Sequence, residues 1–184
     1  MKLTIIGGVN GVGKSSMTGV LKKERNDLGL CIDADKIARE TGRSAVQAGR
    51  VAVEKIADCL SKGVNFTQET TLSGKKTCKT LKIAREKGYT VRLYYVAVSS
   101  AEESLKRIKN RVEKGGHDIP AETVKRRFEE RFVNLKEILP YCDEVEFFDN
   151  ENGLVCVAEY RNGEILPIGD YCPSWLIELR GVTL

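Results

Sequence analysis

The chain has 184 residues, 41% hydrophobic and 30% charged, with 30 Lys/Arg against 26 Asp/Glu and a net charge of +4. That length fits one domain, residues 1–184, with a core hiding roughly 70% of the unfolded surface, and the composition excludes disordered or fibrous chains. No apolar run approaches the ~18 residues of a membrane span, the start MKLTIIGGVNG lacks the basic and cleavage regions of a signal peptide, and the small positive charge points weakly to anionic partners.

Lys2 to Ile6 is a short apolar run ending in two glycines and predicts a buried strand. Lys14 to Asp27 has helical composition, with Met17, Val20 and Leu21 at helical spacing. Leu30 to Asp33 predicts a second strand, and a helix-prone stretch follows to about Lys62, interrupted by Thr41-Gly-Arg-Ser44. Val64 to Glu69 predicts a third strand, Gly74 to Lys87 a helix, and Tyr89 to Val98 a β-branched and aromatic fourth strand. Ala101 to Lys114 and Ala121 to Leu139 predict two long helices hinged at Gly115-Gly-His-Asp-Ile-Pro120. Glu144 to Phe148, Leu154 to Tyr160 and Glu164 to Ile168 are strand-like, the last two joined by the hairpin signal Asn162-Gly163. Repeated βα units imply a mostly parallel sheet with helices on both faces, an α/β three-layer sandwich ending in a C-terminal β-hairpin, an edge or a small appendage. Cys31, Cys59, Cys78, Cys142, Cys156 and Cys172 are scattered with no C-x-x-C pair, which excludes a common zinc site and fits reduced thiols in a cytoplasmic chain.

Gly8-Val-Asn-Gly-Val-Gly-Lys-Ser15 matches G-x-x-x-x-G-K-[ST] at every position, with a strand before it and a helix after it. Glycines let successive N–H groups turn toward an anion, and the following helix offers its free amides and positive dipole end. Gly8, Asn10, Gly11, Val12, Gly13, Lys14, Ser15 and Ser16 are therefore expected to hold ATP, with Lys14 reaching the terminal phosphates and Ser15 ligating Mg²⁺. The strand 89–98 ends in Ser99-Ser100, without the acid of a motor ATPase, and no guanine-reading N-K-x-D string occurs. Instead Asp33 and Asp35 follow the second strand and Glu69-Thr70-Thr71 the third.

Ligands of open α/β sheets bind beyond the carboxyl ends of the strands, so these groups should meet in one crevice, the layout of a phosphotransferase with an acceptor beside ATP. Asp35 is the candidate base for the acceptor hydroxyl, and Glu69 with Thr70 and Thr71 the candidate acceptor contacts. Asp33 reads equally as an acceptor contact or as the cap of the next helix, and Asp35 and Glu69 have solvated loop carboxylates as their alternative.

Nine Lys/Arg and five Asp/Glu lie between Lys106 and Arg131, leaving 21 of each sign elsewhere, so this segment holds the whole excess charge. Arg107 and Arg111, and again Arg127 and Arg131, share helix faces at i, i+4 beside apolar stripes, the second being Val124, Phe128, Phe132, Leu135 and Leu139. Two such helices across a Gly-Gly hinge predict a lid over about residues 101–139 whose arginines neutralise a transferring phosphoryl group. A solvated face is the alternative for any single arginine. His117 is either a further phosphate donor or a cap of the hinge. Phe128 and Phe132 have core spacing, so no aromatics alternate with the arginines and nucleic acid is not an expected partner. Trp175 and the tyrosines of the tail are expected in the core.

The strings Gly8–Ser16, Ile32-Asp-Ala-Asp-Lys-Ile-Ala38, Glu69-Thr-Thr-Leu-Ser-Gly74, Arg111-Val-Glu-Lys-Gly-Gly-His-Asp-Ile-Pro120 and Arg126-Arg-Phe128 together resemble the zeta toxin family of P-loop kinases, in order from Leu3 to about Asn150. The resemblance implies ATP and Mg²⁺ as cofactors and transfer to the sugar 3′-hydroxyl of UDP-N-acetylglucosamine or a related UDP-sugar. It also implies a small antitoxin partner that covers the ATP site. By the same resemblance Lys14 and Ser15 hold phosphate and metal, Asp35 is the base and Glu69 contacts the sugar nucleotide. Arg111 and Arg127 match the phosphate-binding arginines, with His117 and Arg131 as rivals. The chain departs from the founding toxins in being shorter and in ending in a hairpin instead of a long helical extension. Another nucleoside, polynucleotide or antibiotic kinase, or a non-catalytic ATP-dependent module, are the competing readings.

Overall fold

A computed structural model describes residues 1–116 and 118–181. Strands β1 (Lys2–Gly7), β2 (Leu30–Asp33), β3 (Phe66–Thr70), β4 (Thr90–Ala97) and β5 (Glu144–Asp149) pair in parallel; β6 (Val155–Arg161) and β7 (Glu164–Pro167) add antiparallel, in the order β2-β3-β1-β4-β5-β6-β7. The helices are α1 (Lys14–Glu24), α2 (Ala34–Thr41), α3 (Ala45–Lys62), α4 (Lys76–Glu86), α5 (Ala101–Glu113), α6 (Ala121–Glu129), α7 (Arg131–Ile138) and α8 (Ser174–Gly181). The expected α/β fold with a mostly parallel sheet is the observed one.

Alternation along the central strands makes the layers. Leu3, Ile5, Val91, Leu93 and Tyr95 face one core, shared with α3, α4, α7 and α8. Ile6, Tyr94, Val96 and Val98 face the other, under α1. Strands buried on both faces read as near-continuous apolar runs, broken in β1 by buried Thr4 and in β4 by buried Arg92.

Local chemistry sets the boundaries. Gly42 takes φ 65° and closes α2; Ser44 and Gln47 form a reciprocal capping box that opens α3. In the β6–β7 connection Asn162 and Gly163 both have positive φ, 52° and 86°, as a two-residue hairpin with the strand twist requires, and the hairpin forms the sheet edge.

Two expectations need correction. The single helix expected over 121–139 breaks at Glu130, because its apolar stripe serves two cores: Phe128 packs beneath α1's side of the sheet, whereas Phe132, Leu135 and Ile138 pack on the other. The chain also does not end at the hairpin. Helix α8 follows, burying Trp175, Leu176 and Leu179 in the larger core, so Trp175 is a core residue as expected. Its start was readable at Pro173, whose carbonyl accepts the Leu176 N–H at 2.9 Å. No described helix is long and apolar enough to cross a membrane, and all six cysteines are free.

Candidate functional site

The register aligns three strand ends. Ile6 of β1 lies opposite Glu69 of β3, and Asp33 of β2 lies opposite Glu69 from the other side. The 8–15 loop, the head of α2 and the end of β3 therefore open into one crevice, where ligands of open α/β sheets bind.

The loop is built against its neighbours with no room for side chains. A Cβ on Gly8 would sit 2.2 Å from the Val96 carbonyl oxygen, and one on Gly11 2.5 Å from that of Ser104. Gly8, Gly11 and Gly13 all have positive φ, at 142°, 81° and 100°. Gly13 leads directly into α1, and the Lys14 ammonium folds back to donate to the Val9 carbonyl at 2.9 Å. Burial pulls Lys14 below its ordinary range, opposed by the charges of Glu69, Asp35 and Asp33 and reinforced by Arg127. Ser16 is exposed on the first turn of α1.

Glu69 serves the loop side of the crevice. Its carboxylate accepts from the Ser15 hydroxyl at 3.2 Å and from the Thr18 hydroxyl at 2.5 Å. Burial pushes its carboxyl above the ordinary range, which the Thr18 and Ser15 hydrogen bonds partly oppose and neighbouring Asp33 reinforces. The Glu69 carboxylate is thus fixed on the head of α1. Thr18, missed in the sequence, lies one helical turn beyond Ser15 and so on the same face. Thr70 and Thr71 shape the turn after β3: Thr70 Oγ1 accepts the Leu72 N–H at 3.0 Å and is hydrogen-bonded to Thr77 Oγ1 at 3.2 Å, and Thr71 pairs with Ser73. Leu72 holds φ 59° and packs its side chain over Gly7.

Asp33 is the cap of α2, accepting the Asp35 N–H at 2.9 Å; that capping role is the one the structure displays. Asp35 sits exposed in the first turn, and its charge bears on both Lys14 and Arg127.

The helices over residues 101–138 bring arginines to this crevice selectively. Arg127 Nη1 donates to Asn10 Oδ1 of the loop at 2.7 Å, and its buried Nε has no partner. Burial lowers Arg127 from its ordinary value, opposed by Asp35. Arg111 lines a cavity of about 520 Å³ with Arg39, Arg107, Asn110, Lys114, Gly115 and Gly116, and no carboxylate is among these described lining residues. Gly116 wraps Arg111 so closely that a Cβ there would lie 2.5 Å from Arg111 Cγ. Arg39 was not singled out in the sequence; it lies one turn after Asp35 on α2. Arg107 is held by Glu103 at 2.6 Å and by the Glu151 carbonyl at 2.9 Å.

Arg131 departs from expectation. It is buried, with its guanidinium 3.8 and 4.0 Å from the Phe128 and Phe132 ring centres, and pairs with Glu178 of α8 at 2.5 Å. It holds α7 to α8 and does not meet the loop. His117 lies outside the described residues.

A further group was missed because it comes from the far end of the chain. Asn150, just after β5, donates from Nδ2 to the Val12 carbonyl at 2.7 Å.

Comparison with known proteins adds the following. The family model for zeta toxin matches residues 39–157, leaving the 8–15 loop outside the matched span as a separate observation. A protein of Haemophilus influenzae is 33% identical over 126 residues, 66% of this chain and 88% of its own length. The structure resembles one from the PezAT chromosomal toxin-antitoxin system of Streptococcus pneumoniae, with TM-score 0.64 and 18% identity, over 97% of this chain and 82% of that one. It also resembles an AvrRxo1-ORF1:-ORF2 structure with ATP, with TM-score 0.66 and 20% identity, over 90% of this chain but only 60% of that one. At these identities the likenesses are of fold.

Proposed function

This chain belongs to the zeta toxin family, and we propose that it is an ATP-dependent phosphotransferase acting on a hydroxyl of a nucleotide sugar, a UDP-sugar of the UDP-N-acetylglucosamine type. One observation carries the reading: in a loop whose Gly8, Gly11 and Gly13 all have positive φ, Lys14 is held on the Val9 carbonyl at 2.9 Å and Arg127 donates to Asn10 at 2.7 Å, while Glu69 accepts from Ser15 and Asp33, two residues before the exposed Asp35, lies opposite Glu69. A cation at the terminal phosphates, a carboxylate able to take a proton and an arginine across from both are the parts phosphoryl transfer requires.

Gly8, Gly11 and Gly13 give the loop its anion-facing backbone, and Lys14 leaves the Val9 carbonyl for the phosphates. Asp35, exposed at the head of α2, accepts the proton of the acceptor hydroxyl as its oxygen attacks the γ-phosphorus and the bond to ADP breaks. Arg127 exchanges Asn10 for phosphate oxygens, and Arg111 reaches the same charge from α5. The arginine-lined cavity beyond Arg39 suits an acceptor that carries its own phosphates, which favours a nucleotide sugar over a neutral nucleoside or a cationic antibiotic.

The oxygen donors fit Mg²⁺. Mg²⁺ in such sites is held chiefly by substrate phosphates and water, with one or two protein oxygens. Ser15 Oγ would hold it directly, with Glu69, itself held by Thr18, orienting that hydroxyl. When bound, it neutralises charge on the phosphate oxygens. A small antitoxin covering this crevice is the expected protein partner.

The test is transfer of the labelled γ-phosphate of ATP across an acceptor panel of UDP-N-acetylglucosamine, other UDP-sugars, a nucleoside, an oligonucleotide and an aminoglycoside. Label should enter the UDP-sugars. Label in the nucleoside or aminoglycoside alone would overturn the substrate class, and no transfer to any acceptor would favour a non-catalytic nucleotide-binding module.

A further inference from the structure

Helix α8 makes two polar contacts with neighbouring elements without lining the crevice. Glu178 pairs with Arg131 of α7. Trp175, three residues earlier and buried, donates its indole N–H to Asp149 Oδ1 at 2.7 Å. Asp149 closes β5 and is 2% exposed; its other oxygen accepts from the Tyr171 hydroxyl at 3.2 Å and the Glu151 N–H at 3.0 Å. A buried carboxylate with those donors is a fixed point in the fold, because an unpaired one would carry a large desolvation cost.

The next residue reaches the loop. Asn150 is anchored through its own N–H to the Ala97 carbonyl at 3.0 Å, and its side-chain amide donates to Val12 O at 2.7 Å. Its Nδ2 occupies the space beside Gly13, 2.2 Å from where a Cβ would stand. The peptide joining Val12 to Gly13 is a rigid trans plane, so pinning its carbonyl toward Asn150 turns the Gly13 N–H the opposite way. That direction is away from Asn150.

We infer that Asn150 is a positioning residue for the phosphate-binding loop, aiming the Gly13 N–H at the nucleotide, and that Trp175 of α8 holds Asn150 in place through Asp149. The inference rests on the proposed ATP site. It gives the C-terminal helix a part in nucleotide binding, although α8 lines no part of the crevice.

The experiment measures ATP and adenosine binding by calorimetry for the full chain, N150A, W175F and the double variant, with thermal melting of each. The ring of Phe fills most of the indole volume while removing the N–H donor. N150A should weaken ATP about tenfold, the size of one lost hydrogen bond to a preorganised loop, and leave adenosine unchanged. W175F should weaken ATP about threefold, and the double variant should bind no more weakly than N150A, because the two act in series. Wild-type ATP affinity in N150A overturns the inference even if W175F melts early, and so does equal weakening of ATP and adenosine. Losses that multiply in the double variant remove Trp175 from it. A wild-type chain that binds no ATP refutes the proposed function itself, an outcome distinct from all of these.

Discussion

Asp35→Asn keeps the volume of the side chain at the head of α2 and removes one negative charge. The fold should barely register it. The side chain is exposed, and the Asp33 cap on the Asp35 N–H at 2.9 Å is untouched. What is lost is a first-turn carboxylate at a helix N-terminus, worth about 0.3–1 kcal/mol. The charge also bears on Lys14 and Arg127, so its loss alters ATP affinity by an amount of the same order, at most about fivefold. Catalysis should respond on another scale. Removing a general base costs about 10²–10⁴-fold, equivalent to about 2.7–5.5 kcal/mol of barrier. The assay pairs steady-state transfer to a UDP-sugar with calorimetric ATP binding and a melting curve. A kcat within threefold of wild type, on the order of half a kcal/mol, would refute Asp35 as the base. A loss of ATP binding as large as the loss of rate would refute the geometry that puts Asp35 on the acceptor side.

The other predictions test neighbouring parts. Glu69 has its carboxyl raised by burial, so the folded state holds that proton more tightly than the unfolded chain, and wild-type stability falls as pH rises from about 4.5 through the raised value. E69Q lacks that loss and should melt above wild type at pH 7, by a margin that shrinks toward pH 4, while binding Mg-ATP more weakly; a margin that grows toward pH 4 would contradict this sign. R131M removes the stacking on Phe128 and Phe132 and the Glu178 pair, and should lower stability by about 1–3 kcal/mol in denaturant while changing ATP affinity little. R39A should lower kcat/KM for a UDP-sugar about tenfold without weakening ATP; unchanged kcat/KM would remove the arginine-lined cavity from the acceptor site.

Features written in local pattern were legible. The glycine loop, the βα alternation and the Asn162-Gly163 hairpin each follow from residues within a few positions of one another, where backbone preferences decide. Asp33 was legible as a cap for the same reason. What escaped depends on partners distant in sequence. Glu69 is defined by Ser15 and Thr18, 54 and 51 positions away, and Asn150 by Val12, 138 away. The i, i+4 spacing of Arg127 and Arg131 placed them together, yet the break at Glu130 turns α7 into the other core. Arg127 faces Asn10 while Arg131 faces Glu178. Helix α8 was missed because it is only eight residues long, too short to hold as a helix without the burial of Trp175, Leu176 and Leu179 in the larger core.

The proposed reaction moves phosphate from ATP to a sugar nucleotide at the Lys14 crevice. Phosphorus NMR of the full chain with Mg-ATP and UDP-N-acetylglucosamine reads this directly. The γ-phosphate signal should fall as a phosphomonoester resonance grows on the sugar nucleotide, a change absent in Lys14→Met. Unchanged ATP, or inorganic phosphate as the sole product, would contradict it.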